Sequence, residues 1–255
     1  MPHKPVKSRL FVEQPLAEAQ RLALSSGQSH YLCRSLRLGV GGRVSVFNGH
    51  DGEWLAELVE TGRAAKADCI RQIRSQFKPS NIRLLMSPLR PARTEFAVEK
   101  ATELGVSRIT FVSTDHAVKR AVNFRRLRAI AVEAAEQCGG MSLPKIDGVI
   151  SLDDELVNWP TGCQLLFCDE LATSDCGFPS LAADQATAVL VGPEGGFSVR
   201  ERARIDGLQF SVRISLGCRV LRAETAVTAA LALVNTCSLT RSGACRTWQG
   251  KDIGA

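Results

Sequence analysis

Hydrophobic and polar residues alternate along the first third of the chain, a spacing typical of β-strands. The pattern predicts short strands over 9–12, 43–47, 53–60 and 66–73, and the stretch 48–52 reads as a glycine-containing hairpin turn. Between the first two strands, apolar residues at helical spacing predict a short helix over 27–38. Several short strands with glycine turns are typical of a small β-barrel.

From Ile82 onward the spacing changes, and apolar runs alternate with helical periodicity. Strands are predicted over 82–86, 108–112, 164–168, 188–191 and 212–216, and helices over 93–104, 123–138, from Ser198, and over 223–235. This alternation implies a mainly parallel sheet covered on both faces. The predicted fold class is therefore α/β. A small barrel (1–76) and a linker (77–81) precede a parallel-sheet domain (82–237), and the polar residues 238–255 are expected to form a flexible tail.

Charge is distributed unevenly between these regions. Residues 1–80 contain 12 Lys and Arg against 7 Asp and Glu, whereas residues 81–255 contain 20 against 19. A basic module joined to a nearly neutral body favours a polyanion as partner, although a small positive charge also aids solubility. Charge alone therefore favours nucleic-acid binding only modestly.

The composition disfavours several classes of protein. No stretch is long and apolar enough to span a bilayer, and residues 1–5 lack the apolar core of a secretory signal, so we expect a cytoplasmic protein without membrane contact. The nine cysteines include no Cys-x-x-Cys pair, and none of the four histidines stands at metal-ligand spacing from a cysteine. We expect reduced, mostly buried thiols and no metal.

A glycine-rich segment after the predicted strand 188–191 is the strongest local motif. It consists of Gly192, Pro193, Glu194, Gly195 and Gly196, and a helix capping box (Ser-x-x-Glu at 198–201) follows. Glycines after a strand let the backbone approach a ligand closely, and ligands of open α/β sheets bind beyond the carboxyl ends of strands. The segment lacks the sequences of a P-loop and of a dinucleotide fingerprint. Alone, it could equally be a tight structural turn.

A second strand-to-helix junction lies at 216–226. It carries Arg222 and Glu224 just before a predicted apolar helix. An arginine and a carboxylate at this place could hold a cofactor or a substrate. Taken alone, they could equally form a surface ion pair worth less than about 1 kcal/mol.

Six motifs, taken in order, resemble those of one known family. They are Arg9–Phe11, His30–Leu38 (with Arg34 and Arg37), Glu99–Val106, Glu133–Cys138, Gly192–Phe197 and Leu221–Ala226. In these motifs the chain is similar to the RsmE family of 16S ribosomal RNA uracil-N3 methyltransferases, members of the SPOUT (trefoil-knot) class. The resemblance covers residues 9–235. Each motif alone is weakly specific, whereas six in the same order are highly specific.

This resemblance implies an N-terminal PUA-like barrel that binds RNA and a C-terminal SPOUT domain with a trefoil knot. It also implies a homodimer that uses S-adenosyl-L-methionine to methylate N3 of a specific uridine in 16S ribosomal RNA of the small ribosomal subunit. The implied cofactor-binding residues are Leu190, Gly192, Pro193, Glu194, Gly195, Gly196, Leu216, Gly217, Leu221, Arg222, Thr225 and Ala226.

The implied reaction suggests roles for individual side chains. Uracil N3 carries a proton at neutral pH and must lose it to accept a methyl group. We expect Arg222 to stabilise the negative charge on the base, and Glu224 to orient the base or accept the proton. The candidates for RNA contact are Arg9, His30, Arg34, Arg37 and Arg125, with Arg120, Arg126 and Arg128 near the second helix of the α/β domain as further candidates.

Two alternatives remain open at this point. The chain could be a non-catalytic rRNA-binding assembly factor that kept the fold, or a SPOUT methyltransferase that acts on another RNA. The sequence also departs from the family pattern at three places. Gly140 stands where an arginine is usual, Arg90-Pro91 where Lys-Gly is common, and Cys218 where a proline is usual.

Overall fold

The computed structural model describes residues 8–172, 178–182 and 185–242. The chain divides into two compact units. Of the described residues, unit 1 contains those up to Lys78 together with Ala135–Leu143, and unit 2 contains Pro79–Ala134 and those from Pro144 onward. The sequence pattern predicts a boundary at 77–81, but it gives no sign that Ala135–Leu143 belongs with the first unit.

Unit 1 is built on a five-stranded sheet. Its strands are β1 (Arg9–Phe11), β2 (Arg21–Ala23), β3 (Arg43–Phe47), β4 (Glu53–Glu60) and β5 (Lys66–Arg74), in the order β1-β3-β4-β5-β2. β1 runs parallel to β3, and the other neighbours are antiparallel. The predicted hairpin of β3 and β4 is confirmed. β2 has only three residues and is too short for the sequence pattern to indicate it.

The predicted helix over 27–38 is two shorter pieces. Helix α1 (Ser26–His30) is followed by a π-helical turn, Tyr31–Ser35. Ser25 caps α1, because its side chain accepts a hydrogen bond from the Gln28 N–H while the Gln28 side chain accepts one from the Ser25 N–H. Leu32 is fully buried in the core of unit 1 with strand residues such as Val44 and Val46. Burial of Leu32 thus anchors the π-helical turn to the sheet.

Unit 2 contains a six-stranded sheet in which all neighbouring strands are parallel. Its strands are β6 (Ile82–Met86), β7 (Arg108–Ser113), β8 (Lys145–Ser151), β9 (Gln164–Cys168), β10 (Thr187–Val191) and β11 (Ser211–Ile214). Their order across the sheet is β11-β9-β10-β6-β7-β8. The predicted parallel sheet is confirmed. β8 escaped prediction because this edge strand has no fully buried residue and therefore no apolar run.

Helices cover both faces of this sheet. They are α2 (Pro91–Glu103), α3 (Phe124–Cys138), α4 (Leu152–Val157), α5 (Val199–Asp206) and α6 (Ala223–Ser242). Alternate strand residues point to opposite faces, so Leu84 packs in a core with residues of α2, α3 and α6, while its neighbour Leu85 packs in a second core with residues of α4 and α5.

The last helix is longer than predicted. α6 continues to Ser242 instead of ending at Asn235, so the predicted tail from 238 begins too early. The remaining residues of that tail, 243–255, lie outside the described residues. Among the described helices, none is long and apolar enough to cross a membrane.

Candidate active site

The carboxyl ends of β9, β10 and β11 border a cavity of about 510 Å³. Three stretches that follow these strands line it: residues 168–170 with Ala172, residues 191–196, and residues 215–223 with Ala226. Ligands of open α/β sheets bind at the carboxyl ends of strands, and the volume lies within the usual range of small-molecule sites. The cavity is therefore the candidate ligand site of unit 2.

Most of the predicted cofactor-binding residues meet at this cavity. Two others stand apart from the lining: Leu190 is buried within β10, and Thr225 lies in the first turn of α6. The predicted catalytic residue Glu224 precedes Thr225 in that turn and is also outside the lining. The predicted residues that line the cavity are Gly192, Pro193, Glu194, Gly195, Gly196, Leu216, Gly217, Leu221, Arg222 and Ala226.

Two glycines of the loop make room for protein side chains. A Cβ on Gly192 would lie 2.6 Å from Cε2 of Phe197, a buried ring that packs edge-to-face against Phe167. Gly196 has a φ of 65°, and a Cβ there would overlap the carboxylate of Glu170. Packing within the protein already requires both glycines, so the motif by itself does not indicate that a ligand approaches the backbone closely.

Helix α5 begins directly after this loop, and its predicted capping box is confirmed. Ser198 Oγ accepts a hydrogen bond from the Glu201 N–H, and the Glu201 carboxylate accepts one from the Ser198 N–H at 2.8 Å. The same carboxylate accepts from the Asp115 N–H at 2.9 Å, while Ser198 Oγ donates to Asp115 Oδ2 at 2.6 Å. Residues after β7 thus hold the start of α5 in place.

Asp115 remains ionised beside this helix start. Hydrogen bonds from the side chains of Arg200 and Ser198 hold the pKa of the Asp115 carboxyl below its ordinary value. The next residue, His116, places its Nδ1 3.0 Å from the carbonyl oxygen of Gly195. These contacts join sequence-distant segments, so no local motif could have indicated them.

The carboxylate of Glu224 faces an arginine that no sequence motif singled out. Arg93 Nε lies 3.5 Å from Glu224 Oε1, and Arg93 Nη1 lies 3.7 Å from Glu194 Oε1. Arg120 Nη1 lies 3.6 Å from Glu194 Oε2. The ion pair of Glu224 is therefore with Arg93, and not with Arg222, the partner that the sequence spacing suggested. Arg222 itself lies exposed in the cavity lining.

Two acidic residues at the end of β9 also escaped prediction. The buried Asp169 accepts a hydrogen bond from Arg202 Nε at 3.1 Å and lies 3.3 Å from Arg213 Nη1. Its neighbour Glu170 pairs with the same Arg202. Burial raises the pKa of the adjacent Cys168 thiol to about 12, so this cysteine of the lining is a neutral thiol and not a nucleophile.

Arg9, a predicted RNA-contact residue, is committed to the fold of unit 1. Its guanidinium pairs with Glu53 and donates hydrogen bonds to the carbonyl oxygens of Ala135, Glu136 and Gly140. Only 11 % of the side chain is exposed. We therefore assign Arg9 a structural role, and contact with RNA stays a prediction for this residue.

The other predicted RNA-contact residues are placed differently. His30, Arg34 and Arg37 are all exposed on or directly after the α1 and π-helical segment, and Arg125 is exposed in the first turn of α3. Among the described residues, no group of three or more His, Cys, Asp or Glu is placed to hold a metal ion.

Comparison with known proteins identifies the family. The model of an RNA methyltransferase domain matches residues 76–235, and that of an RNA methyltransferase PUA domain matches residues 24–66. A ribosomal RNA small subunit methyltransferase E from Mesomycoplasma hyopneumoniae is 32 % identical over 179 residues, which span 68 % of this chain and 77 % of that protein. The chain belongs to the ribosomal RNA small subunit methyltransferase E (RsmE) family.

Other RsmE proteins match over more of the chain. The protein of that name from Rickettsia conorii is 29 % identical over 232 residues, which span 89 % of this chain and 94 % of its own. The crystal structure of a Neisseria gonorrhoeae RsmE protein bound to S-adenosyl methionine superposes with a TM-score of 0.81 at 26 % identity, over 90 % of this chain and 97 % of that one. The predicted α/β class, a parallel-sheet methyltransferase domain behind a PUA-like domain, is confirmed.

Proposed function

We propose that this RsmE-family chain transfers a methyl group from S-adenosyl-L-methionine to N3 of a uridine in 16S ribosomal RNA of the small ribosomal subunit. The observation that carries the proposal is the cavity at the ends of β9, β10 and β11, because two of its walls are the loops that bear the family motifs. The cofactor is supported by the Neisseria gonorrhoeae relative, whose structure holds it. The methylated atom is supported by the resemblance to uracil-N3 methyltransferases.

The lining of the cavity suits S-adenosyl-L-methionine in its polar and apolar surface. Val191, Leu216 and Leu221 supply apolar surface for a flat base. The backbone N–H groups of Leu216 and Leu221 have no acceptor within the described part of the protein, so they are available to a ligand. The carboxylates of Glu170 and Glu194 in the lining suit the positive charges of this molecule. When bound, its sulfonium supplies an electrophilic methyl group.

Arg222 and Glu224 are the proposed catalytic residues. The exposed guanidinium of Arg222 faces the cavity and stabilises negative charge on the uracil carbonyls as N3 loses its proton. Glu224 is the acidic residue in the first turn of α6, the end of a helix at which the dipole attracts negative charge. We assign Glu224 to orient the base or to accept the N3 proton.

The RNA-binding role belongs to unit 1 in this proposal. His30, Arg34 and Arg37 present an exposed basic strip, and Arg125 of α3 adds a further positive charge. We keep the domain bounds predicted from the sequence, so that residues 1–76 bind RNA and residues 82–237 catalyse methyl transfer. An enzyme with this substrate works in the cytoplasm, where small subunits are assembled.

We also propose that the enzyme acts as a homodimer, as the family resemblance implies. Light scattering should give twice the mass of one chain. A monomeric mass would contradict the dimer.

Mass spectrometry of methylated RNA tests the central proposal. Purified protein is incubated with S-adenosyl-L-methionine and with small ribosomal subunits from a strain that lacks the modification, and we expect 3-methyluridine in the 16S RNA. Calorimetry without RNA should show cofactor binding. A protein that leaves the cofactor unbound at millimolar concentration would be a non-catalytic RNA binder, and methylation of another atom or RNA would replace the proposed substrate.

A further inference from the structure

Arg93 lies between the two glutamates of the site. It joins three separate parts of unit 2: the first turn of α2, which carries it, the loop after β10, which carries Glu194, and the first turn of α6, which carries Glu224. Arg120 pairs with the second carboxylate oxygen of Glu194, Oε2. Glu194 lines the cavity, so Arg93 connects the cavity wall directly to the carboxylate that we assign to proton transfer.

The position of Arg93 within α2 is unfavourable for the helix itself. A cation near a helix N-terminus opposes the helix dipole. The first turn of α2 contains no acidic residue that would offset the charge, and the preceding residue Arg90 makes no side-chain cap. The stability of α2 therefore does not explain Arg93, whereas the two glutamates do.

Because Glu224 is largely buried, its ion pair with Arg93 is important for the site. Its side chain is 13 % exposed, and its second oxygen, Oε2, is buried without a hydrogen-bond partner among the described residues. A buried carboxylate is costly for the fold unless a positive charge is paired with it. Arg93 Nε, 3.5 Å from Oε1, supplies that charge and leaves Oε2 unpaired.

We propose that Arg93 is a positioning residue that pairs with Glu224 and fixes its carboxylate relative to the glycine-rich loop. This inference rests on the proposed methyl transfer and assigns a role to a residue outside both loops. Arg93 acts through Glu224, so its loss affects turnover more than binding of the cofactor.

Steady-state kinetics of Arg93→Ala and Arg93→Lys test the proposal. We expect kcat of Arg93→Ala to fall about 10- to 100-fold, which is a part of the roughly 100- to 10,000-fold that a positioned general base contributes. Its affinity for S-adenosyl-L-methionine, measured by calorimetry, should change by no more than about fivefold, the scale of a partly exposed ion pair. Arg93→Lys restores the charge and should recover part of kcat. Arg204→Ala removes a surface ion pair with Asp153 in the same unit and should leave both quantities unchanged.

The split between turnover and cofactor affinity separates this role from a merely structural one. A residue that only supports the fold would lower kcat and cofactor affinity together, whereas loss of a positioning residue lowers kcat while cofactor affinity is retained. Wild-type kcat in Arg93→Ala, or a kcat loss matched by an equal loss of cofactor affinity, would overturn the inference alone, while a wild-type protein that methylates no RNA would overturn the proposed function and this inference with it. If Arg93→Ala does not fold, Arg93→Gln is judged by the same criteria.

Discussion

At the scale of single residues, spatial neighbours decide the chemistry of the site more than sequence neighbours do. Glu224 stands two positions after Arg222, yet its carboxylate faces Arg93. The sequence motifs predicted which loops meet at the cavity, because local glycine and helix-start signals mark them. They could not predict Arg93 or Asp169, since these side chains reach the site only through the assembly of the parallel sheet.

Arg222→Ala tests the charge-stabilising role of this guanidinium. Loss of a donor that acts on developing charge costs about 100- to 1000-fold in turnover, and we expect a kcat loss on that scale with cofactor affinity retained. Arg219→Ala removes a positive charge from the same loop and should reduce kcat much less. Undiminished turnover of Arg222→Ala, with cofactor bound, would rule out the role.

Gly192→Ala tests the packing explanation of the loop. The new Cβ would lie 2.6 Å from the buried ring of Phe197, so we expect a loss of about 1 to 3 kcal/mol in the free energy of unfolding, measured with denaturant. Gly148→Ala in β8 is the control, because nothing lies within 4 Å of its added Cβ. Equal stability of the two variants would mean that Phe197 moves aside freely.

At the scale of elements, ion pairs within unit 1 hold its segment 135–143, which includes the last residues of α3. Arg9 and Arg74 both pair with Glu53, the first residue of β4. They also donate hydrogen bonds to carbonyl oxygens at and after the end of α3, including those of Ala135 and Gly139, which the helix alone leaves unsatisfied. Sequence periodicity predicted the strands and α3. It could not predict these hydrogen bonds, because Arg9 and Arg74 lie far along the chain from the carbonyl groups that they bind.

Glu53→Gln should destabilise unit 1 strongly. Removal of one partner from a buried ion pair costs about 3 to 5 kcal/mol, because the remaining charges stay buried, and Glu53 is only 3 % exposed. Asp68→Asn, which removes the surface partner of Arg21 in the same sheet, should cost much less. Urea unfolding of both variants gives the comparison, and similar losses would contradict the buried-charge account.

The lowered pKa of Glu53 predicts that the free energy of unfolding depends on pH. Burial alone would raise the pKa of Glu53, but hydrogen bonds from Arg9 and Ser45 and the charges of Arg9 and Arg74 outweigh it, so the pKa lies below the ordinary 4.5. The stabilisation is complete above pH 4.5 and is lost as pH falls through the lowered value. The unfolding free energies of wild type and Glu53→Gln should therefore converge below pH 4.5, and a constant difference there would contradict this sign.

At the scale of the whole molecule, the two units and the α/β class follow from the change in hydrophobic spacing at Ile82. The trefoil knot that the family implies has no periodic signal, since knots are almost absent from other folds. The assignment of Ala135–Leu143 to unit 1 is equally invisible, because it depends on Arg9 and Arg74. Deletion of residues 1–75 is therefore not a clean test of RNA binding, since it strips this segment of its partners.

A double variant, Arg34→Ala with Arg37→Ala, tests RNA binding without that damage. Each lost phosphate contact should lower the slope of log affinity against log salt by about 0.7 to 0.9, so the slope should fall by up to about twice this amount. Arg21→Ala removes an exposed arginine from the same unit and should leave the slope unchanged. An unchanged slope in the double variant would remove this strip from the RNA-binding surface.

The composition of unit 1 from two separated stretches has a consequence for biosynthesis. A nascent chain that has emerged as far as Lys78 contains every strand of the first sheet, yet Arg9 and Arg74 then lack the carbonyl groups of residues 135–140. More than half of the polypeptide must be synthesised before Arg9 and Arg74 can form these hydrogen bonds. For the same reason, a chimaera joined at residue 78 would contain an incomplete unit 1 unless it also included residues 135–143 of this protein.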